Sequence, residues 1–173
     1  NEKAIMARMD KRRETKEPIF GNAYMMACRA VEGYPKHQYY VRLLGQIWHD
    51  RDILADSILA EQTIEHTVGL FRRYSGYGGF LGYEIAMDLQ MNGILTGLDQ
   101  HTWANAGPGA KRGLNYVFGR NKNFKLTEKQ ALEQMCWLYE RAPEFLMPHV
   151  ASYLDMRFIE NGLCETSKMF SIL

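Results

Sequence analysis

The sequence predicts an all-α fold built as one domain over residues 1–173. Three observations carry that expectation. Apolar residues recur at helical spacing along most of the chain. Glycine, proline and capping residues interrupt them at intervals suited to short helices. No alternating, strand-period run longer than about four residues occurs. At 46% hydrophobic and 24% charged, the chain has enough apolar surface for a single core.

The elements follow in order. Residues 1–16 are helix formers with a basic cluster, Lys11-Arg12-Arg13, and Pro18 stops the run. Residues 23–32 are compact and apolar, and Gly33-Tyr34-Pro35 reads as a turn. Tyr39, Tyr40, Leu43, Leu44 and Ile47 mark a helix over 38–48, and a shorter run covers 53–59. Residues 60–74 are amphipathic through Ile64, Val68 and Phe71, with Arg72 and Arg73 where cations suit the helix dipole. Gly76-Tyr77-Gly78-Gly79 is a turn of small residues, and helical spacing resumes over 80–91. Residues 92–98 read as a loop. Thr127 and Gln130 fit a capping box opening a helix over 127–142, which Pro143 ends. Pro148 suits the first turn of a helix over 148–160, and the tail is left open.

Composition excludes several classes. With 21 Lys+Arg against 20 Asp+Glu the net charge is +1, so bulk electrostatics do not drive nucleic-acid binding and any such surface is local. No apolar run reaches the ~20 residues of a membrane helix. The N-terminus lacks a signal-peptide h-region, and a start at Asn1 fits a processed or partial chain. Cys28, Cys136 and Cys164 are too few and too scattered for a disulfide framework or a cysteine-based metal site, which fits a reducing, intracellular setting. His37, His49, His66 and His149 show no ligand spacing, and Glu61 with Glu65-His66 does not make a di-iron Glu-x-x-His pair. The expectation is no metal and no cofactor.

Two glycine turns carry chemistry. The first is the hairpin Gly76, Tyr77, Gly78, Gly79. Such a turn points backbone N–H groups outward at the positive end of the next helix, where they hold a DNA phosphate without reading bases. A plain glycine C-cap is the structural alternative. Asp99 follows 21 residues after Gly78, opening Leu98-Asp99-Gln100-His101. The pairing resembles helix-hairpin-helix DNA glycosylases, whose carboxylate stands at about that distance facing a flipped nucleotide. The alternative is that Asp99 is an N-cap. Where bifunctional glycosylases carry a Schiff-base lysine this chain has Gly82, and the iron–sulfur cysteines are missing.

The second turn is Gly107-Pro108-Gly109, followed by Lys111 and Arg112. Cations beside the free N–H groups of a new helix suit phosphate or pyrophosphate. A solvated helix start is again the alternative.

The strings Gly79–Glu84 (GFLGYE), then Asp99, Thr102–Leu114 (TWANAGPGAKRGL) and the terminal LCETSK, with Ile19–Met25 upstream, resemble one family in that order. It is the phage thymidine-hypermodification group: alpha-glutamyl/putrescinyl-thymine pyrophosphorylases, which are amino acid:DNA transferases, and the related helical domain of 5-hydroxymethyluracil DNA kinases. The resemblance covers about residues 18–168. It implies a glycosylase-like helical fold acting on phage DNA, in the cytoplasm of an infected bacterial cell. It also implies that a kinase activates 5-hydroxymethyluracil and that a transferase then displaces pyrophosphate with an amine, from an amino acid or a polyamine. The sequence has no GxxxxGK[ST] phosphate loop for kinase chemistry.

The leading expectation is therefore the transferase. Asp99 or His101 would take the amine's proton. Lys111, Arg112 and the Gly107–Gly109 turn would take up pyrophosphate charge. Arg72, Arg73 and the hairpin would hold duplex DNA, and Trp103 or Tyr77 would stack where a base leaves the helix. The alternatives are a non-catalytic helical DNA-binding domain partnering a separate DNA kinase, and a monofunctional DNA glycosylase. Glu165 and Lys168 match the family string without a physical role.

Overall fold

The computed structural model describes residues 1–21 and 34–171, and every regular element among them is helical. In chain order these are α1 (Glu2–Glu14), α2 (Lys36–His49), α3 (Arg51–Glu61), α4 (Ile64–Phe71) and α5 (Gly79–Met91). α6 (Pro108–Val117), α7 (Glu128–Arg141), a 3-10 turn at Ala142–Glu144, α8 (Pro148–Ala151) and α9 (Met156–Met169) complete them. The compact apolar stretch 23–32, Cys28 and most of the Ile19–Met25 string lie outside the described residues.

The all-α expectation holds, with three corrections to boundaries. The run 60–74 is two helices, because Gln62 takes a left-handed φ of 55° and Thr63 then caps α4. The Gln62 side chain holds the break in place: its Oε1 accepts the Thr96 backbone N–H and hydroxyl, both at 2.7 Å. The helix expected over 148–160 is also two. α8 is a single turn, and Asp155 starts α9 by accepting the Phe158 N–H at 2.7 Å. α9 then continues to Met169, into the tail that the sequence left open. The predicted capping box at Thr127 and Gln130 is present, with both reciprocal bonds at 3.1 Å.

α4, α5, α6, α7 and α9 share one core, in which Val68, Met87, Leu114, Met135 and Met156 are almost wholly buried. α6 and α9 cross so closely that a Cβ on Gly113 would lie 2.1 Å from the Leu163 carbonyl oxygen. Only glycine permits that approach. α4 and α5 cross at Gly82, whose Cβ would meet the Val68 carbonyl at 3.3 Å. Gly82 therefore stands at a helix crossing. α1 buries none of its residues and is tied to α2 by Asp10, which holds the buried His37 ring at 2.7 Å.

Candidate functional site

The α4–α5 connection is the expected helix–turn–helix, with α4 shorter than predicted. Gly76 has φ 101°, a conformation only glycine adopts without strain. The turn is braced on both sides. The Tyr39 hydroxyl from α2 donates to the Ser75 carbonyl, and that ring lies against Gly76. On the other side Gly79 lies against Asn105, whose Oδ1 would be 2.4 Å from an added Cβ. Gly78 caps α5 with open space around it. Tyr77 is half-buried and packs on Phe71, ring centroids 6.2 Å apart, so one of its faces belongs to the core.

The two arginines at the turn differ. Arg72 makes a two-pronged bond to Glu128 at the start of α7, at 2.7 and 3.3 Å. That pairing raises the Arg72 pKa and lowers that of Glu128. Arg73 is exposed and has no ion pair among the described residues.

Asp99 does not open a helix of its own. Residues 98–102 form a turn, and the Asp99 carboxylate reaches across to α4. There Oδ1 accepts the Ile64 N–H at 2.6 Å and Oδ2 the Glu65 N–H at 2.9 Å. A negative group at a helix N-terminus is favourable, and both its oxygens are engaged. The capping alternative is thus realised, on a helix 35 residues upstream. His101 lies in the same turn, exposed, with Nδ1 at 2.9 Å from the Tyr139 hydroxyl.

The second glycine turn is closed from within. α6 begins at Pro108 with Gly107 as N-cap. The Glu160 carboxylate of α9 stands against Gly107, its Oε1 3.6 Å from where a Cβ would be, and Gly109 lies beneath the Cys164 sulfur. Burial pushes the Glu160 carboxyl up to about 7, against the pull of the Gly107 N–H; Glu84 adds to the rise and Arg157 opposes it. Tyr83 is buried nearby, its hydroxyl has no hydrogen-bond partner among the described residues, and its pKa is driven far up by burial and then by Glu160. Lys111 and Arg112 stand in the fourth and fifth positions of α6, past the exposed N–H groups of its first turn. They also diverge. Arg112 Nε donates to Ser167 on α9 at 3.2 Å, whereas the charge of Lys111 acts on Glu128. The open cradle expected at Gly107–Arg112 is instead a packed joint between α6 and α9.

Between these turns runs the segment 103–107, and beside it lies a cavity of about 500 Å³. Glu65, Val68 and Arg72 line it from the α4 side, Trp103–Ala106 from the segment, and Glu128, Lys129 and Leu132 from α7. That volume is within the range of small-ligand sites. Trp103 stacks edge-on with Tyr83 at 6.0 Å and forms part of the wall. The structure therefore gathers Arg72, Gly79 and Trp103 around one segment, ties Asp99 to α4 and leaves Arg112 exposed with its Nε on Ser167. Among the described residues no group of three His, Cys, Asp or Glu side chains could hold a metal ion. No described helix is long and apolar enough to cross a membrane.

Sequence reasoning missed Glu160, Tyr83, Asn105 and Glu128. Glu160 is separated from Gly107 by 53 residues, and no local pattern announces the contact. A polar residue at an inward position of α9 was the available signal, hidden because the helix was expected to end there.

A family described as "5-hmdU DNA kinase, helical domain" matches residues 1–172. The 5-hmdU DNA kinase of Bacillus phage SP10 is 30% identical over 181 aligned residues, which cover 92% of this chain and 28% of that protein. The chain thus spans little more than a quarter of the length of this relative. No solved structure matches.

Proposed function

This chain belongs to the 5-hmdU DNA kinase helical-domain family, and from that premise we propose that it is the DNA-handling part of a 5-hydroxymethyluracil DNA kinase. The family match over residues 1–172 carries the reading. Phosphoryl transfer needs a cradle for nucleotide phosphates, and no GxxxxGK[ST] string lies in these 173 residues. The kinase chemistry then falls to the remaining length of proteins such as the phage relative, or to a separate partner. Phage DNA bearing 5-hydroxymethyluracil is the macromolecule bound.

The glycosylase-like helix–hairpin–helix supplies the duplex contact. Gly78 is exposed at the α5 N-terminus, Arg73 adds an exposed cation, and Tyr39 and Asn105 pack against the turn at Gly76 and Gly79. Phosphate contact of this kind fixes register on the duplex without reading sequence.

Two other readings lose support on specific atoms. A transferase that expels pyrophosphate needs the Gly107–Arg112 turn open, and Glu160 and Cys164 fill it. A glycosylase needs a free carboxylate at Asp99, and both of its oxygens cap α4. The amine donor belongs to the transferase reading and goes with it.

Binding to a duplex with 5-hydroxymethyluracil and to the same duplex with thymine tests the proposal. Salt-dependent binding to both is expected, because the contact is to backbone. No binding at low salt would overturn the reading. Incorporation of an amine into DNA carrying the phosphorylated base would restore the transferase.

A further inference from the structure

A row of alternating rings and cations crosses the surface formed by the end of α6, the following loop and α7. The Arg120 guanidinium lies 5.4 Å from the Phe124 ring centroid and 5.0 Å from that of Phe118. Phe118 meets Trp137 at 5.7 Å, and Arg141 lies 4.1 Å over Trp137. The rings are not hidden: Phe124 is 52% exposed, Trp137 45% and Phe118 38%. Beyond Trp137 and Arg141 the row opens into a mainly apolar cleft of about 340 Å³, with Phe145 and Phe158 at its wall.

The row is held rigid. The buried Asn115 donates its side-chain amide to the Phe124 carbonyl at 2.9 Å and the Lys122 carbonyl at 3.3 Å. Arg120 donates to Gln134 at 2.6 Å and to the Leu114 carbonyl. Lys122 and Lys125 extend from the same loop, exposed and without an ion pair among the described residues. The nearest carboxylate to Arg141 is its neighbour Glu140, at 3.8 Å.

We propose that this row is a stacking platform for single-stranded DNA, with bases on Phe124, Phe118 and Trp137 and phosphates on Lys122, Lys125 and Arg141. Exposed aromatic rings interleaved with cations are the chemistry of a sequence-tolerant single-strand surface. Ordering of the rings in the free protein lowers the cost of binding. An apolar protein segment would use the cleft but leave the loop lysines idle. The proposal extends the DNA-handling reading and needs it only in that DNA is the partner. Enzymes that do chemistry on a base commonly take it out of the stack, and a flipped 5-hydroxymethyluracil creates unpaired nucleotides to be held.

The test is fluorescence anisotropy with a labelled oligo-dT and, separately, with a blunt duplex. Wild-type protein is compared with Trp137→Leu, Phe124→Leu and Lys122→Ala/Lys125→Ala. Tyr153→Ser, an 82% exposed ring outside the row, is the control, and circular dichroism checks folding. Each aromatic loss should weaken oligo-dT binding by about tenfold or more, leaving duplex affinity and the control unchanged. The paired lysine loss should lower the salt slope for oligo-dT by about one to two. Wild-type protein that ignores oligo-dT, or folded aromatic variants that bind it as wild type does, would overturn the platform. Loss of duplex binding in Arg73→Ala bears on the hairpin instead, so the two readings fail separately.

Discussion

Two glycine turns open helices in this protein, Gly76–Gly79 before α5 and Gly107–Gly109 before α6, and among the described residues the second alone has a carboxylate standing against it. Both present backbone N–H groups at a positive helix end with cations close in sequence. At the first, bracing comes through Tyr39 and Asn105, and among the described residues nothing packs where a Cβ on Gly78 would stand. At the second, the Glu160 carboxylate stands against Gly107 and Cys164 covers Gly109. The difference shows that a helix N-terminus becomes an anion site only if the fold supplies no carboxylate of its own. Asp99 makes the same point at α4, where a distant carboxylate again takes the N–H groups.

The largest effect should come from separating α6 from α9, which closes the second turn. Gly113→Ala places a Cβ 2.1 Å from the Leu163 carbonyl, a backbone atom that cannot rotate away. A loss of about 3 kcal/mol or more is expected by chemical denaturation, at the upper end of overpacking costs. A midpoint unchanged from wild type would mean that the crossing relaxes freely. Next is Asp99→Ala, which strips two N–H bonds from α4. It should cost about 2 kcal/mol, as strong helix caps do. Asp99→Asn keeps one acceptor and should retain part of that stability, which a catalytic carboxylate would not require.

The smallest stability effect is at Glu160 and has the opposite sign. Its folded pKa of about 7 lies above the ordinary 4.5, so the folded state holds the proton longer than the unfolded chain. Stability from this group therefore falls as pH rises from about 4.5 to about 7 and is level above that. Glu160→Gln keeps an acceptor for Gly107 and removes the charge. It should stabilise the protein by about 1–2 kcal/mol at pH 8 and do nothing at pH 4. Thermal melts at the two pH values decide this, and equal shifts at both would refute the buried, proton-holding carboxyl.

The fold was legible where its cause is local. Helical periodicity, the capping box at Thr127 and the glycine break between α4 and α5 are all written in short windows. The split at Gln62 was not, because a left-handed glutamine is stabilised by Thr96, 34 residues away. The site was legible in its backbone and misread in its partners. Gly76–Gly79 carries its own conformational signal, whereas the state of Gly107 depends on a carboxylate from another helix. Adjacent Lys111 and Arg112 looked like one cationic pair, yet helical geometry turns successive side chains about 100° apart, and here they serve different neighbours. The same limit hid the cavity beside Trp103, which three separated segments enclose.

The central claim is that duplex DNA meets the open turn and not the closed one. Duplex affinity measured across salt concentration for wild type, Arg73→Ala and Arg112→Ala tests it most directly. Arg73→Ala should weaken binding and lower the slope of log K against log salt by about one, as the loss of one phosphate contact does. Arg112→Ala, whose side chain is engaged with Ser167, should leave both unchanged. The reverse pattern, a lowered slope for Arg112→Ala and a wild-type slope for Arg73→Ala, would contradict the account.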